Sequence, residues 1–151
     1  MLRCGLLGET LGHSYSPMIH HELGEYDYRL FEVSKEDLDA FLCSDRWDGL
    51  NVTIPYKQTV IPLCDEVEPR AAAIGAVNTI VNRDGKLYGY NTDYAGFAYL
   101  AKAHGVDFAD KTVLILGAGG THSTVAAVCR DGGAKEILTA SRTGKDGALL
   151  Y

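Results

Sequence analysis

The 151 residues are enough for one ordinary domain, or one domain and a piece of another. With 46% hydrophobic and 23% charged residues the chain is too apolar for disorder. A net charge of −6 excludes a general nucleic-acid binder, which needs a basic surface, and no apolar run reaches the roughly 18 residues of a membrane span.

Met1–Gly8 lacks the charged-then-apolar order of a secretory signal, and Leu2–Gly8 reads as a first buried strand. Ser16-Pro17 is a helix start, a serine N-cap followed by proline at the first helical position. Tyr26–Val33 is a second strand. Ser34-Lys35-Glu36-Asp37 opens a helix with a capping-box pattern, and Leu38, Phe41 and Leu42 mark its apolar face. Asp48–Ile54 is a third strand. Only a short helix fits between Pro55 and Pro62, and Glu66–Ile74 suggests another. Ala76–Asn82 and Lys86–Tyr90 flank Arg83-Asp84-Gly85 as a hairpin. Asn91-Thr92-Asp93 precede a helix carrying Phe97, Leu100 and Ala101, which Gly105 ends. Five strands and about five helices in the first 105 or so residues predict an α/β fold with a mixed sheet covered on both faces.

A seam follows at His104-Gly105 and Phe108-Ala109-Asp110. Beyond it, Lys111–Leu116 is an apolar strand running into Gly117-Ala118-Gly119-Gly120; a helix then reaches Arg130, Gly132-Gly133 stop it, and Glu136–Ala140 is a second strand. This is one βαβ unit of the Rossmann kind. Glycines there let backbone N–H groups approach a pyrophosphate at the positive end of a helix. His122 occupies the position where GxGxxG wants a small residue for helix–strand packing. After the second strand come Ser141, Arg142, Thr143 and Lys145, with no acid before Asp146; a cation there suits a 2′-phosphate, so NADP is preferred to NAD, although Arg142 also reads as an ordinary solvated charge.

Cys4, Cys43, Cys64 and Cys129 form no CxxC pair and read as small buried hydrophobes in a reducing cytoplasm. His20 and His21 face different sides of any helix, so no metal site is expected. The stretch GLNVTIPYK ends an alternating strand by delivering Lys57 just past its C-terminal tip, where ligands of open α/β sheets bind. On residue types alone, Lys57 and Asp93 are equally a structural ion pair, Asp93 a helix cap, Ser14 and Ser16 turn and cap residues, and Asn78 a satisfied core amide; Tyr15, between the serines, reads as a surface residue.

Five segments in one order change that weighting: Ser14-Tyr15-Ser16-Pro17, Asn51-Val52-Thr53-Ile54-Pro55-Tyr56-Lys57, Gly75-Ala76-Val77-Asn78-Thr79, Asn91-Thr92-Asp93 and Gly117-Ala118-Gly119-Gly120. Together they resemble the shikimate dehydrogenase family over the whole chain. The resemblance implies an N-terminal substrate domain at residues 1–106 and the first βαβ of an NADP-binding Rossmann domain at 107–151. It implies the reversible reduction of 3-dehydroshikimate to shikimate with NADPH, in the cytoplasm. Lys57 matches the general acid/base lysine and Asp93 its partner carboxylate. Ser14 and Ser16 match the pair that binds the substrate carboxylate, and Thr53 and Asn78 match residues that hold ring hydroxyls. Gly117, Ala118, Gly119, Gly120, Ser141, Arg142 and Thr143 fall to the cofactor. Ser16 in place of threonine favours shikimate over quinate. Family members are longer, so the chain reads as a fragment with little turnover of its own, whose incomplete Rossmann edge self-associates and whose Leu114, Leu116, Ile137 and Leu138 are candidates for exposure. A non-catalytic shikimate-binding module and a quinate-preferring relative are the alternatives.

Overall fold

The first sheet grows outward from β1 (Arg3–Gly8), which pairs in parallel with β2 (Asp27–Glu32) on one side and β3 (Gly49–Val52) on the other. Register sets Leu7 beside both Phe31 and Val52, so the apolar alternation of three strands falls on one face. The computed structural model describes residues 1–144 and 148–150. Among these, the first sheet has the order β2-β1-β3-β5-β6-β4, with β4 at Glu66–Val67, β5 at Thr79–Arg83 and β6 at Lys86–Tyr90. β3 and β5 are antiparallel, as are β5 and β6, so the sheet is mixed as expected. The β5–β6 turn uses Asp84 at φ 53° and Gly85 at φ 84°, two left-handed residues in succession, which matches the twist of a two-residue hairpin.

Three helices flank this sheet: α1 (Ser16–Leu23), α2 (Leu38–Leu42) and α3 (Pro69–Ile74). The core lies on the α2 face. Leu38, Phe41 and Leu42 pack there with Trp47, Leu50, Val52, Tyr56, Val60 and Ile80, all 2% exposed or less. α1 lies on the opposite face, where His20 meets Tyr28 and Asn51 lines the same groove. This gives the three-layer arrangement.

Several local expectations change. The N-cap of α1 is Tyr15, not Ser16, and the Ser16 N–H instead donates to Ser14 Oγ at 3.2 Å. Ser34 and Asp37 do exchange hydrogen bonds, Ser34 Oγ donating to Asp37 Oδ2 at 2.8 Å and accepting from the Asp37 N–H at 3.3 Å, but they close a turn before α2. No α-helix forms between Pro55 and Pro62. Two prolines seven positions apart leave room only for single turns and a 3₁₀ turn at Ile61–Leu63. Glu66–Ile74 splits because the residue before a proline avoids the helical region: Glu68 is extended at ψ 136°, the helix starts at Pro69, and Glu66 and Val67 pair with Tyr88 and Gly89 as a sixth strand. Cys43 is exposed, while Cys129 is buried and Cys4 and Cys64 are half-buried.

The chain divides into two compact units, Met1–Asn91 and a second beginning at Thr92. The seam at 104–110 thus falls inside the second unit. α4 (Thr92–Ala103) associates with α5 (His122–Asp131), through a Tyr94 hydroxyl that donates to Asp131 Oδ2 at 2.7 Å, while Phe97 stacks on Phe108 of the seam itself. Among the described residues the second sheet is β7 (Thr112–Leu116), β8 (Glu136–Ser141) and β9 (Leu149–Leu150), all parallel and in that order. β9 extends the two-stranded unit that the sequence predicts. Leu114 and Leu116 are exposed, as expected; Ile137 and Leu138 are half-buried. No helix among the described residues is long and apolar enough to cross a membrane.

Candidate active site

Backbone hydrogen bonds tie the main chain at four of the proposed site residues, Ser14, Thr53, Lys57 and Asn78, at one rim of the first sheet. β1 and β3 are parallel, so their C-terminal ends lie side by side, and the Thr53 N–H donates to Leu7 O at 2.9 Å. The Val52 N–H donates to Asn78 O at 2.7 Å, which sets Asn78 beside the exit from β3. The Val77 N–H donates to Lys57 O at 2.8 Å. The lysine therefore does not trail into solvent after the proline; its main chain is tied to the segment that carries Asn78. Asn78 is buried at 7% exposure, and Lys57 and Thr53 are half-buried.

The serine turn completes the rim. The chain leaves β1 at Gly8 and turns back over the strand ends, with the Leu11 N–H donating to Glu32 Oε1 at 2.6 Å and the Ser14 N–H to Leu11 O at 3.2 Å. Both serines are half-buried, whereas Tyr15 between them is 73% exposed. Gly8 is needed for this closure. A Cβ there would stand 2.6 Å from Leu11 Cδ2 and 2.9 Å from Thr53 Cγ2, so any side chain at this position would push Leu11 and Thr53 aside where the serine turn and the Thr53 turn meet.

Two further groups escape the sequence reading. Asn91 is 5% exposed and its Nδ2 donates to Ala76 O at 2.9 Å, which pins the end of β6 to the Asn78 segment. Beneath α1 lies an aromatic cluster. The Tyr28 hydroxyl donates to Asn51 Oδ1 at 2.7 Å, the His20 ring stacks on Tyr28 at 3.7 Å, and His20 Nδ1 hydrogen-bonds the Tyr26 hydroxyl. Burial pushes the Tyr28 phenol up to about 12, against a hydrogen bond from Ser16, and burial lowers the His20 pKa from 6.5, against a hydrogen bond with Asn51. His21 is exposed. The two-residue alternation of Tyr26 and Tyr28 is the only sequence signal for this cluster. Among the described residues no group of histidine, cysteine and carboxylate side chains is arranged to hold a metal.

The remaining residues belong to the second unit. Asp93 is the second residue of α4 and half-buried. Gly117, at φ 110°, turns the chain out of β7, with its N–H donating to Ala140 O at 2.7 Å. Ala118, Gly119 and Gly120 are exposed, and a Cβ at Gly117 or Gly119 would meet nothing within 4 Å. The loop is therefore open at the N-terminus of α5, as an anion site requires. His122 does not fill that space: its Nε2 hydrogen-bonds Thr139 Oγ1 at 2.8 Å, a polar helix–strand contact where a small residue was expected. Ser141 is buried and its hydroxyl accepts the Gly144 N–H, while Arg142 and Thr143 are exposed just past β8. Lys145 and Asp146 lie outside the described residues.

Comparison with known proteins identifies what the chain is similar to. Residues 6–80 match the model of the shikimate dehydrogenase substrate binding domain. A shikimate dehydrogenase (NADP(+)) from Clostridium beijerinckii is 44% identical over 146 residues, which is 91% of this chain and 54% of the relative. The chain thus spans about half the length of the curated relatives it matches. A crystal structure of shikimate dehydrogenase 1 from Peptoclostridium difficile superposes with a TM-score of 0.89 at 40% identity, over 100% of this chain and 59% of that one. The shikimate 5-dehydrogenase of Thermus thermophilus, in complex with NADP(H) and shikimate, gives 0.85 at 36% identity, over 96% and 57%.

Proposed function

The chain belongs to the shikimate dehydrogenase family, and from that premise we propose that it supplies the substrate-binding part and the start of the NADP-binding part of an enzyme that reversibly reduces 3-dehydroshikimate to shikimate in the cytoplasm. The observation that carries this reading is the rim itself: the main chain around Thr53, Lys57 and Asn78 is tied together at the carboxyl ends of parallel strands, beside the Ser14–Ser16 turn.

Ser14 and Ser16 hold the substrate carboxylate and orient the ring. Thr53 and Asn78 take ring hydroxyls. Lys57 delivers a proton to the carbonyl oxygen during reduction and recovers it during oxidation. Asp93 is the partner carboxylate, a role that rests on the family likeness. When bound, NADPH supplies the hydride that reaches the carbonyl carbon. The open loop Gly117, Ala118, Gly119 and Gly120 fits a pyrophosphate, Arg142 and Thr143 fit a 2′-phosphate, and Ser141 holds the turn that presents them.

Titrating the chain with shikimate tests the binding half of the proposal. Weak, saturable shifts of the Ser14, Ser16, Thr53, Lys57 and Asn78 amides are expected; saturable shifts confined to other residues, or none, overturn it. In shikimate-dependent NADP⁺ reduction by a version of the length of its relatives, Lys57→Ala lowers kcat by about 10²-fold or more while shikimate affinity changes far less. Equal losses in both would make Lys57 a binding residue.

A further inference from the structure

α1 carries the serine turn, yet apolar burial does not hold it to the sheet. None of its residues is buried, and Met18, Ile19 and Leu23 are 62%, 53% and 69% exposed. A helix of eight residues has little stability of its own. Its attachment must come from elsewhere, and the polar-aromatic cluster under it supplies one. His20 is the α1 residue that stacks flat on Tyr28, with 11° between the rings, and bonds the Tyr26 hydroxyl. Tyr28 in turn reaches across β1 to Asn51 on β3, two residues before Thr53. Helix, β2 and β3 are thereby joined through one phenol.

We propose that Tyr28 is a positioning residue for the serine turn: its ring, stacked on His20, and its hydroxyl, bonded to Asn51, fix α1 against β3 and set where Ser16 presents its hydroxyl to a substrate carboxylate. Ser16 and His20 stand four positions apart in α1, so the side that stacks on Tyr28 is also the side that carries Ser16. The carboxylate part rests on the proposed function; the mechanical part does not.

The test uses the 151-residue chain and Tyr28→Phe, which keeps the stacked ring and removes only the hydroxyl. Amide exchange at Ile19–Leu23 is expected to speed up roughly fivefold to tenfold, with β1 and β3 unchanged. The preference for shikimate over its methyl ester, which lacks the carboxylate charge, is expected to fall by a similar factor. Asn51→Asp, which keeps an acceptor oxygen at that place, is expected to preserve both properties, and Asn51→Leu to lose both. Unchanged α1 exchange in Tyr28→Phe overturns the proposal. So does faster exchange with an unaltered acid-to-ester preference, because the hydroxyl would then hold the helix without placing Ser16. A wild-type chain that binds neither compound overturns the substrate reading and the carboxylate role together, and the exchange comparison then decides the clasp alone.

Discussion

The two units bury different kinds of side chain. In the first, Trp47, Tyr56, Leu38, Leu42, Leu50 and Ile80 are at most 2% exposed and pack together on one face of a six-stranded sheet. In the second, the buried residues are small: Ala101, Thr124, Ala126, Val128, Cys129, Ala140 and Ser141. Several of its larger apolar residues stay outside, with Leu114 at 54% exposure, Leu116 at 73%, Leu149 at 56% and Leu150 at 74%. Register explains this. Leu114 pairs with Leu138 and Leu116 with Ala140 on one face of the sheet, whereas His122 of α5 bonds Thr139 on the other. A parallel sheet is ordinarily covered on both faces, and among the described residues this one has its helix on one. The lesson is that a complete strand–helix–strand motif can be legible and correctly paired while its stability has to come from something beyond it.

The sharpest way to break this contrast is a pair of truncations. Leu50→Ala should destabilise the first unit by about 2–5 kcal/mol, the usual cost of emptying a packed leucine site. Leu116→Ala should stay within about 0.5 kcal/mol, as surface changes do. Urea unfolding followed separately by Trp47 fluorescence and by exchange of β7 amides reads both; equal effects would mean that the second unit is packed as tightly as the first. Next in size is Tyr56→Phe. The Tyr56 hydroxyl donates to Val33 O at 2.6 Å, and its loss should cost about 1 kcal/mol by the same unfolding assay. Smaller in stability is Leu116→Glu, which should lower self-association in sedimentation experiments at nearly unchanged unfolding midpoint. A monomeric wild-type chain with β7 and β8 strongly protected from exchange would end the idea that the bare face associates.

The smallest effect concerns α1 and pH. Burial holds His20 below its ordinary 6.5, so the folded state favours the neutral ring. Its contribution is complete above the unfolded value of about 6.5 and is lost as pH falls through the lower folded value. Tyr26, Tyr28, Asn51 and Ser16 adjoin it, and Cys4 and Asp48 line the same groove. Exchange of α1 amides, corrected for intrinsic rates, should therefore accelerate below pH 6.5 relative to β1. An NMR titration midpoint for His20 at or above 6.5 contradicts this.

Much of the rim is readable in the sequence because its determinants are local. The alternation Leu50-Val52 marks β3, the hairpin turn at Asp84-Gly85 fixes β5 against β6, and Leu38, Phe41 and Leu42 show the buried face of α2. What stays hidden depends on strand order. Tyr28 and Asn51 lie 23 positions apart and meet only because β2 and β3 flank β1. Period-two patterning says which face a residue takes, but not which strand lies two places away. β4 and β9 are hidden for a simpler reason, since two residues carry no alternation. The helical reading of Glu66–Ile74 shows the opposite error: Pro69 requires Glu68 to be extended, so the helix starts only at the proline.

Gly8 makes the rim unusually intolerant of the mildest change a protein can suffer. One added methyl group would act as a wedge between the loop that leads to the serines and the corner that leads to the lysine, with the Ile54 carbonyl 3.3 Å away leaving it no third direction. The serine loop and the Thr53 corner share that joint, so a shim of a single carbon there would alter the span between them without replacing any side chain of the proposed site.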